Sequence, residues 1–402
     1  MKDTYPLVRI KAASAFNCIL KHRVAKELVQ PLLKDILTVY LQLLENYDLE
    51  NIINSLESIV EDFATEIAPF AYELTKHLVK LFFKLFSKDI EQANQEEYDG
   101  EAELAAAGCL KTITRIIESP ISCEALGQLE GEVVSVLEFV FGEEGIDYIE
   151  DSLMLLNAFL FKVERLSGQI WFFFQVVVYN MVGIPREMWE ALEKLPMGEK
   201  QKAIMRNIRN GENGEMMEQS MLVLRNYIQK TAALGVDPQQ EALKGNMVNL
   251  LFYLVSETYK KGANEFSGEL DVTCATALLL YLLENFQTRL PENVFTHMWE
   301  FSKINIHKFK SKMLRILNSQ LLAMLLWVAP RHVLTLAHKD NLLPTLLREL
   351  TNYETKYEES PERSRVILGL NSLLALPEKP AELMPKMPDI FRINLKLIRK
   401  NA

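Results

Sequence analysis

Apolar residues return at helical spacing along nearly the whole chain. Val8, Ala12, Ala15, Phe16 and Ile19 fall at i, i+4, i+7, i+8 and i+11. Val29, Leu32, Leu33, Ile36, Val39 and Leu43 form a second such stripe, and Ile149, Leu153, Leu156, Leu160 and Val163 a third. This period predicts amphipathic α-helices with one face to bury. No stretch alternates with the period of two that a half-buried strand requires. Short polar turns punctuate the stripes: Asn46-Tyr47-Asp48, Gly142-Glu143-Glu144-Gly145, Gly235-Val236-Asp237-Pro238 and Pro291-Glu292-Asn293. The helices read as pairs, with second members starting near Asp3, Asp48, Glu101, Ile146, Glu212, Glu269, Lys308 and Pro361. Their mean spacing is about 51 residues, close to the roughly 40–47 of HEAT and armadillo units once loop insertions are allowed. The expected fold is therefore all-α: a right-handed HEAT-repeat solenoid of about eight hairpin units.

Asp3, Val8 and Arg9 carry an Asp-x4-Val-Arg spacing similar to that of a HEAT repeat. In such a repeat the Asp carboxylate caps the turn into the second helix and the Arg ties neighbouring units. On this reading the chain opens with a second helix lacking its partner, with Val8, Ala12 and Phe16 left bare, as in a piece of a longer protein. The expected divisions are 1–182 (repeats, starting with a half-repeat), 183–214 (an inserted loop with short helices, one near Glu187–Leu195) and 215–402 (repeats and C-terminal helices).

Composition narrows the class. The 402 residues are 49% hydrophobic and 24% charged, with only 16 Gly and 15 Pro. That is too apolar for a disordered chain and too poorly punctuated for a strand-and-turn fold. The net charge of −10 argues against broad nucleic-acid or anionic-membrane binding and suits basic protein partners. The most apolar run, Ile170 to Ile184, contains Gln175 and Asn180 and falls short of the roughly 20 residues of a bilayer span. With no apolar leader and no glycosylation sequon, the expectation is a soluble intracellular protein that meets no membrane.

A search for chemistry finds little. The six His make no H-E-x-x-H and no i, i+4 pair, and the phosphate-cradle and nucleophile-elbow motifs are missing. Cys18, Cys109, Cys123 and Cys274 stand apart on helical patterns and read as small core residues. The expectation is a protein that is not an enzyme and takes no cofactor or metal.

Four features bear on a binding role. From Ser87 to Glu103 one Lys faces seven acids, among them Glu96, Glu97, Asp99, Glu101 and Glu103. The strip reads as a dock for a basic segment, or more plainly as a solvated loop. Trp189, beside Met188 and Pro185 in the insertion, reads either as an exposed anchor or as packing of the loop onto the repeats. Trp171-Phe172-Phe173-Phe174 is too continuous for an exposed face and reads as a core helix. Lys303, Lys308, Lys310, Lys312 and Arg315 begin a helix with no acid between them, which the helix dipole disfavours. An offsetting acid is expected, from this chain or from an acidic partner.

The stretches Pro6 to Ala13 (PLVRIKAA), Glu61 to Pro69 (EDFATEIAP), Tyr72 to Leu78 (YELTKHL), Ile170-Trp171 and Glu362 to Leu370 (ERSRVILGL) are similar, in order and spacing, to the importin-β superfamily of nuclear transport receptors. The nearest branch is that of importins seven and eight, and the likeness is to the middle and C-terminal part, beyond the domain where the family makes its main RanGTP contact. The resemblance implies a receptor shuttling between cytoplasm and nucleus through the pore. It implies three partners: basic cargo such as ribosomal proteins or histones, the Ran GTPase that controls release, and phenylalanine-glycine nucleoporins. The insertion 183–214 is longer than the family pattern leads one to expect. The alternative reading is a HEAT scaffold without transport function.

Overall fold

The computed structural model describes residues 3–47, 50–93, 100–142, 145–194, 197–210, 217–235, 238–262 and 268–401. Among these residues there are helices and turns and no strand. Two compact units divide the chain, Met1–Asn226 and Tyr227–Ala402. The boundary falls inside a helix and not at the insertion, because the short helices of the insertion pack on their neighbours in the first unit.

The first unit contains α1 (Pro6–Ser14), α2 (Phe16–Leu20), α3 (Arg23–Val29), α4 (Leu33–Asn46), α5 (Glu50–Asp62), α6 (Ala64–Ile67), α7 (Ala71–Ala93), α8 (Glu101–Glu118), α9 (Cys123–Val140), α10 (Ile149–Lys162), α11 (Gly168–Val182), α12 (Arg186–Leu192), α13 (Glu199–Asn207) and most of α14 (Met217–Ala232). The second contains α15 (Pro238–Gly262), α16 (Gly268–Phe286), α17 (Glu292–Lys308), α18 (Lys312–Val328), α19 (Pro330–Lys339), α20 (Leu343–Thr351), α21 (Ser360–Leu374) and α22 (Met387–Asn401). The eight expected second helices are α1, α5, α8, α10, α14, α16, α18 and α21.

Local chemistry fixes the ends. Ser122 and Ser167 cap α9 and α11, their hydroxyls accepting from Ala125 N at 3.1 Å and Ile170 N at 3.2 Å. Pro31 and Pro69 sit in 3-10 turns just before α4 and α7, where a missing N–H removes nothing a helix start would use. Gly100 precedes α8 in the left-handed region at φ 69°, a conformation that costs glycine little. Asp3 holds the turn before α1 by accepting from Tyr5 N at 2.8 Å, so it organises the approach and not the N-cap itself.

Within each unit, helices of one kind pack in rows. In the first, α5 lies on α8 and α8 on α10, while α4 lies on α7 and α7 on α9. In the second, α16 lies on α18 and α18 on α21. At Gly369 the last contact closes to backbone distance: a Cβ there would stand 2.4 Å from the Ala323 carbonyl oxygen. Buried hydroxyls tie each pair to its neighbours. Tyr40 Oη donates to Ala13 O at 2.8 Å and meets Ser55 Oγ at 2.7 Å, joining α4, α1 and α5. Tyr259 Oη meets Thr276 Oγ1 at 2.8 Å, joining α15 and α16. The aromatic run of α11 is half right as a core element: Phe173 and Phe174 are buried, whereas Trp171 and Phe172 are partly exposed, because one helix turn cannot turn four rings inward. No single described helix is long and apolar enough to cross a membrane.

Candidate protein-binding faces

The acidic strip divides. Glu96, Glu97 and Asp99 lie outside the described residues. Glu101 and Glu103 occupy the first turn of α8, where negative charge complements the amide ends of the helix, so both also serve the helix itself. Further acids stand on the second helices of the first unit: Glu57 and Glu61 on α5 and Glu118 on α8 gather around Arg115, and Glu150 and Asp151 on α10 lie by Lys111. Rungs cross this face from helix to helix. Arg115 Nε lies 3.6 Å from Glu57 on α5, and its Nη1 pairs within α8 with Glu118 at 3.0 Å. Lys111 reaches Asp151 at 4.0 Å. Gln219 on α14 donates to Glu150 Oε1 at 3.0 Å, and Asn226 donates to Asn157 Oδ1 at 2.8 Å. The Arg115 guanidinium is held above its ordinary range by the hydrogen bond to Glu118 and by the fields of Glu61 and Glu57. Burial raises the Asp151 carboxyl, with Glu150 pushing the same way and Lys111 opposing. Sequence reasoning missed these rungs because their partners lie some 40 to 70 residues apart in the chain.

The acidic charge of the protein is concentrated. Residues 1–226 hold 36 Asp and Glu against 22 Lys and Arg, a net −14. Residues 227–402 hold 18 against 22, a net +4.

A second feature of the first unit lies between the first helices α4 and α7. Leu41, Leu44, Leu78 and Leu81 line a mainly apolar cavity of about 340 Å³, with Glu45, His77, Lys80 and Lys84 at its rim. A leucine-lined recess ringed by polar groups takes a flat apolar side chain and excludes water around it. Nothing in the local sequence separates Leu41 from its neighbours on the α4 stripe; only the placement of α7 leaves it half-uncovered.

Trp189 is corrected as an exposed anchor. It is 8% exposed, and the Arg209 guanidinium stacks over its ring at 4.8 Å. The insertion folds back: Ile184 N donates to Arg209 O at 2.9 Å, Asn207 Nδ2 to Gly142 O at 2.7 Å, and Lys200 pairs with Glu138 at 3.0 Å. A large apolar ring on a short helix is covered by whatever apolar surface lies near, here that of its own unit. The cysteines also need correction. Cys109 is buried, but Cys18 and Cys123 are exposed and Cys274 is intermediate, since a small residue at the edge of a stripe can face either way. Among the described residues no group of three or more His, Cys, Asp or Glu is placed to hold a metal.

The basic run is offset in part by this chain's own acids. Lys303 Nζ pairs with Asp340 at 2.8 Å and Glu300 at 2.7 Å, and Trp299 Nε1 donates to the same Asp340 oxygen at 2.8 Å. The ammonium beside it, aided by the indole, holds the Asp340 carboxyl below the usual range. Arg315 pairs with buried Glu349 at 3.2 Å and donates to Ile306 O at 2.6 Å.

No protein-family model matches the chain. Among curated proteins, a probable importin-7 homologue of Dictyostelium discoideum is 24% identical over 178 residues, 44% of this chain and 16% of its own length. An importin beta-like SAD2 homologue of Arabidopsis thaliana is 26% identical over 176 residues, 44% of this chain and 17% of its own. Human importin-8 is 25% identical over 173 residues, 42% of this chain and 16% of its own. The matches thus span about a sixth of those relatives. Among solved structures, a Kap121p mutant aligns with 100% of this chain and 44% of its own at 10% identity and a TM-score of 0.37, too loose a superposition to bear on the fold.

Proposed function

We propose, for a chain that its shared sequence makes a member of the importin-β family, that it forms part of a nuclear transport receptor and binds basic protein cargo. The single observation that carries the cargo reading is the acidic face of α5, α8 and α10 within a unit of net charge −14. Clustered carboxylates draw a basic partner from a distance and then pair with it at close range. Several of these acids are already tied to Arg115 and Lys111, so the face is a partly braced one that trades internal pairs for external ones. The strip 87–103 extends the same sign of charge toward the start of α8.

The leucine-lined recess between α4 and α7 supports a second element of the reading, a seat for phenylalanine side chains of nucleoporin repeats. A phenyl ring buried there loses most of its contact with water, worth about 2 kcal/mol for each ring. That is weak per site, which suits a carrier that must let go repeatedly. Release under Ran control completes the proposal; its contact with this chain is assigned to no residue.

The decisive experiment reverses charge on the face. Glu57→Lys, Glu61→Lys and Glu150→Lys together weaken binding of a labelled basic ribosomal-protein segment by more than about tenfold at low salt. A matched reversal of Glu96, Glu97, Asp99, Glu101 and Glu103 reports the contribution of the strip. Unchanged affinity in both variants removes the cargo reading. In parallel, Leu41→Glu abolishes capture by a phenylalanine-glycine repeat column; retention equal to that of the parent protein removes the nucleoporin seat and favours a scaffold without transport function.

A further inference from the structure

The second unit carries a groove of opposite character. It opens where the C-terminal end of α17 turns into α18, and α20 forms its other wall. The cavity measures about 510 Å³, and His307, Lys310, Lys312 and Arg348 converge on it. All four side chains are exposed. Among the described residues none of the four makes an ion pair, in contrast to Lys303 and Arg315 a turn away. The floor is the Arg315–Glu349 pair, which ties α18 to α20; the outer cations make no ion pair among the described residues, and the nearby Glu269 carboxylate accepts from the Lys310 backbone N at 3.2 Å.

Two further facts deepen the positive field. Lys312 is the first residue of α18, and no acid occupies the first turn of that helix; Ser311 Oγ accepts from Leu314 N at 3.4 Å, and the positive end of the helix dipole adds to the ammonium groups. The unit itself has a net charge of +4 in a protein of −10, so the groove is no local fluctuation on an acidic surface.

We infer that this groove binds an acidic peptide segment of a partner protein, with two or three Asp or Glu side chains meeting Lys310, Lys312 and Arg348. A peptide fits better than a nucleic acid for three physical reasons. A long polyanion would be repelled by the rest of the chain. The cations are gathered at one cavity and do not form a track for successive phosphates. The floor carries a carboxylate, Glu349, which opposes a deeply seated dianion but tolerates monoanions paired with the outer ring. The groove needs neither basic cargo nor nucleoporin, so its failure leaves the transport reading intact.

The test measures fluorescence anisotropy of a labelled octapeptide rich in Asp and Glu, titrated with the whole 402-residue chain. The triple variant Lys310→Glu, Lys312→Glu, Arg348→Glu raises the Kd by at least about tenfold, and the pair Lys310→Arg, Lys312→Arg leaves it within about twofold. The parent Kd rises steeply with salt, and the amide counterpart of the peptide, with Asn and Gln, does not bind. Circular dichroism checks the fold. Should the triple variant unfold, Lys310→Glu alone, at an exposed position, still weakens binding about threefold. Equal Kd values for parent and charge-reversed proteins overturn the inference, as does a single-stranded oligonucleotide of matched charge that outcompetes the peptide.

Discussion

At the α7–α9 junction of the unit Met1–Asn226, neighbouring hairpins meet through rings. Phe82, Phe83 and Phe86 of α7 press edge-on against Phe139 of α9 at centroid distances of 5.8, 5.2 and 4.6 Å, and Tyr148 closes the cluster at 5.3 Å from Phe82. Along the row α16, α18 and α21 of the unit Tyr227–Ala402 they meet through hydrogen bonds, while rings such as Tyr259 and Phe301 pack α15 on α17. Asn305 of α17 donates to Thr276 of α16 at 3.2 Å and to Asn318 of α18 at 3.1 Å. Arg365 of α21 donates to Gln320 of α18 at 2.7 Å and pairs with Glu284 of α16. Apolar contact is tolerant of angle, whereas a buried amide allows one geometry. The α7–α9 junction can therefore change its angle at lower cost than the α16–α18–α21 row. The unit holding that junction is also the one whose second helices carry the acidic face and whose first helices leave a recess open.

Four substitutions probe that contrast, read by hydrogen exchange resolved along the sequence and by thermal melting. Phe82→Ala removes a fully buried ring at the centre of the cluster and costs about 3–5 kcal/mol, with protection lost in the first unit. Protection lost equally in both units breaks the contrast. Gly369→Val drives a side chain into the Ala323 backbone, which cannot give way, and costs about 3 kcal/mol with the loss in α18 and α21. An unchanged melting midpoint contradicts the close approach. Asp340→Asn lowers the melting midpoint at neutral pH by a smaller amount. Its sign follows from the depressed carboxyl: the native state holds the charged form, so its stabilisation is present above the ordinary carboxylate pKa and fades as pH falls through the lowered one. The deficit of the variant thus closes in acid; a deficit constant across pH rules the charge out as its source. The smallest effect has the opposite direction. At Gly131, mid-way along α9, an added Cβ meets nothing within 4 Å, so Gly131→Ala gains about 0.5–1 kcal/mol from helix propensity alone.

The periodicity of the fold was legible from local pattern. Second helices expected near Asp48, Glu101, Ile146 and Glu269 begin at Glu50, Glu101, Ile149 and Gly268, because stripe and turn are written within one hairpin. The faces were less legible. Trp189 stands open between anchor and packing in the sequence because its cover, Arg209, follows a turn whose course the pattern does not give. Of the two acids that offset Lys303, Glu300 is a local neighbour but Asp340 lies 37 residues on, and the basic groove needs Arg348 from a helix whose own stripe says nothing of Lys310. Whatever depends on which helix lies beside which is decided by packing, and a single sequence carries no direct record of it.

The hydroxyl ties between hairpins have an optical consequence. Tyr40 and Tyr259 are pushed up to about 12 by burial, Tyr357 on Ser319 is raised further, and Tyr227 is raised as well. The unfolded chain ionises its phenols near 10, so alkali above that value favours unfolding progressively until the native phenols also give up their protons. Tyrosinate absorbance in an alkaline titration will therefore rise in two stages. Surface rings come first and reversibly; the sheltered set then appears in one abrupt step that coincides with loss of the helical signal and fails to retrace itself when acid is added back.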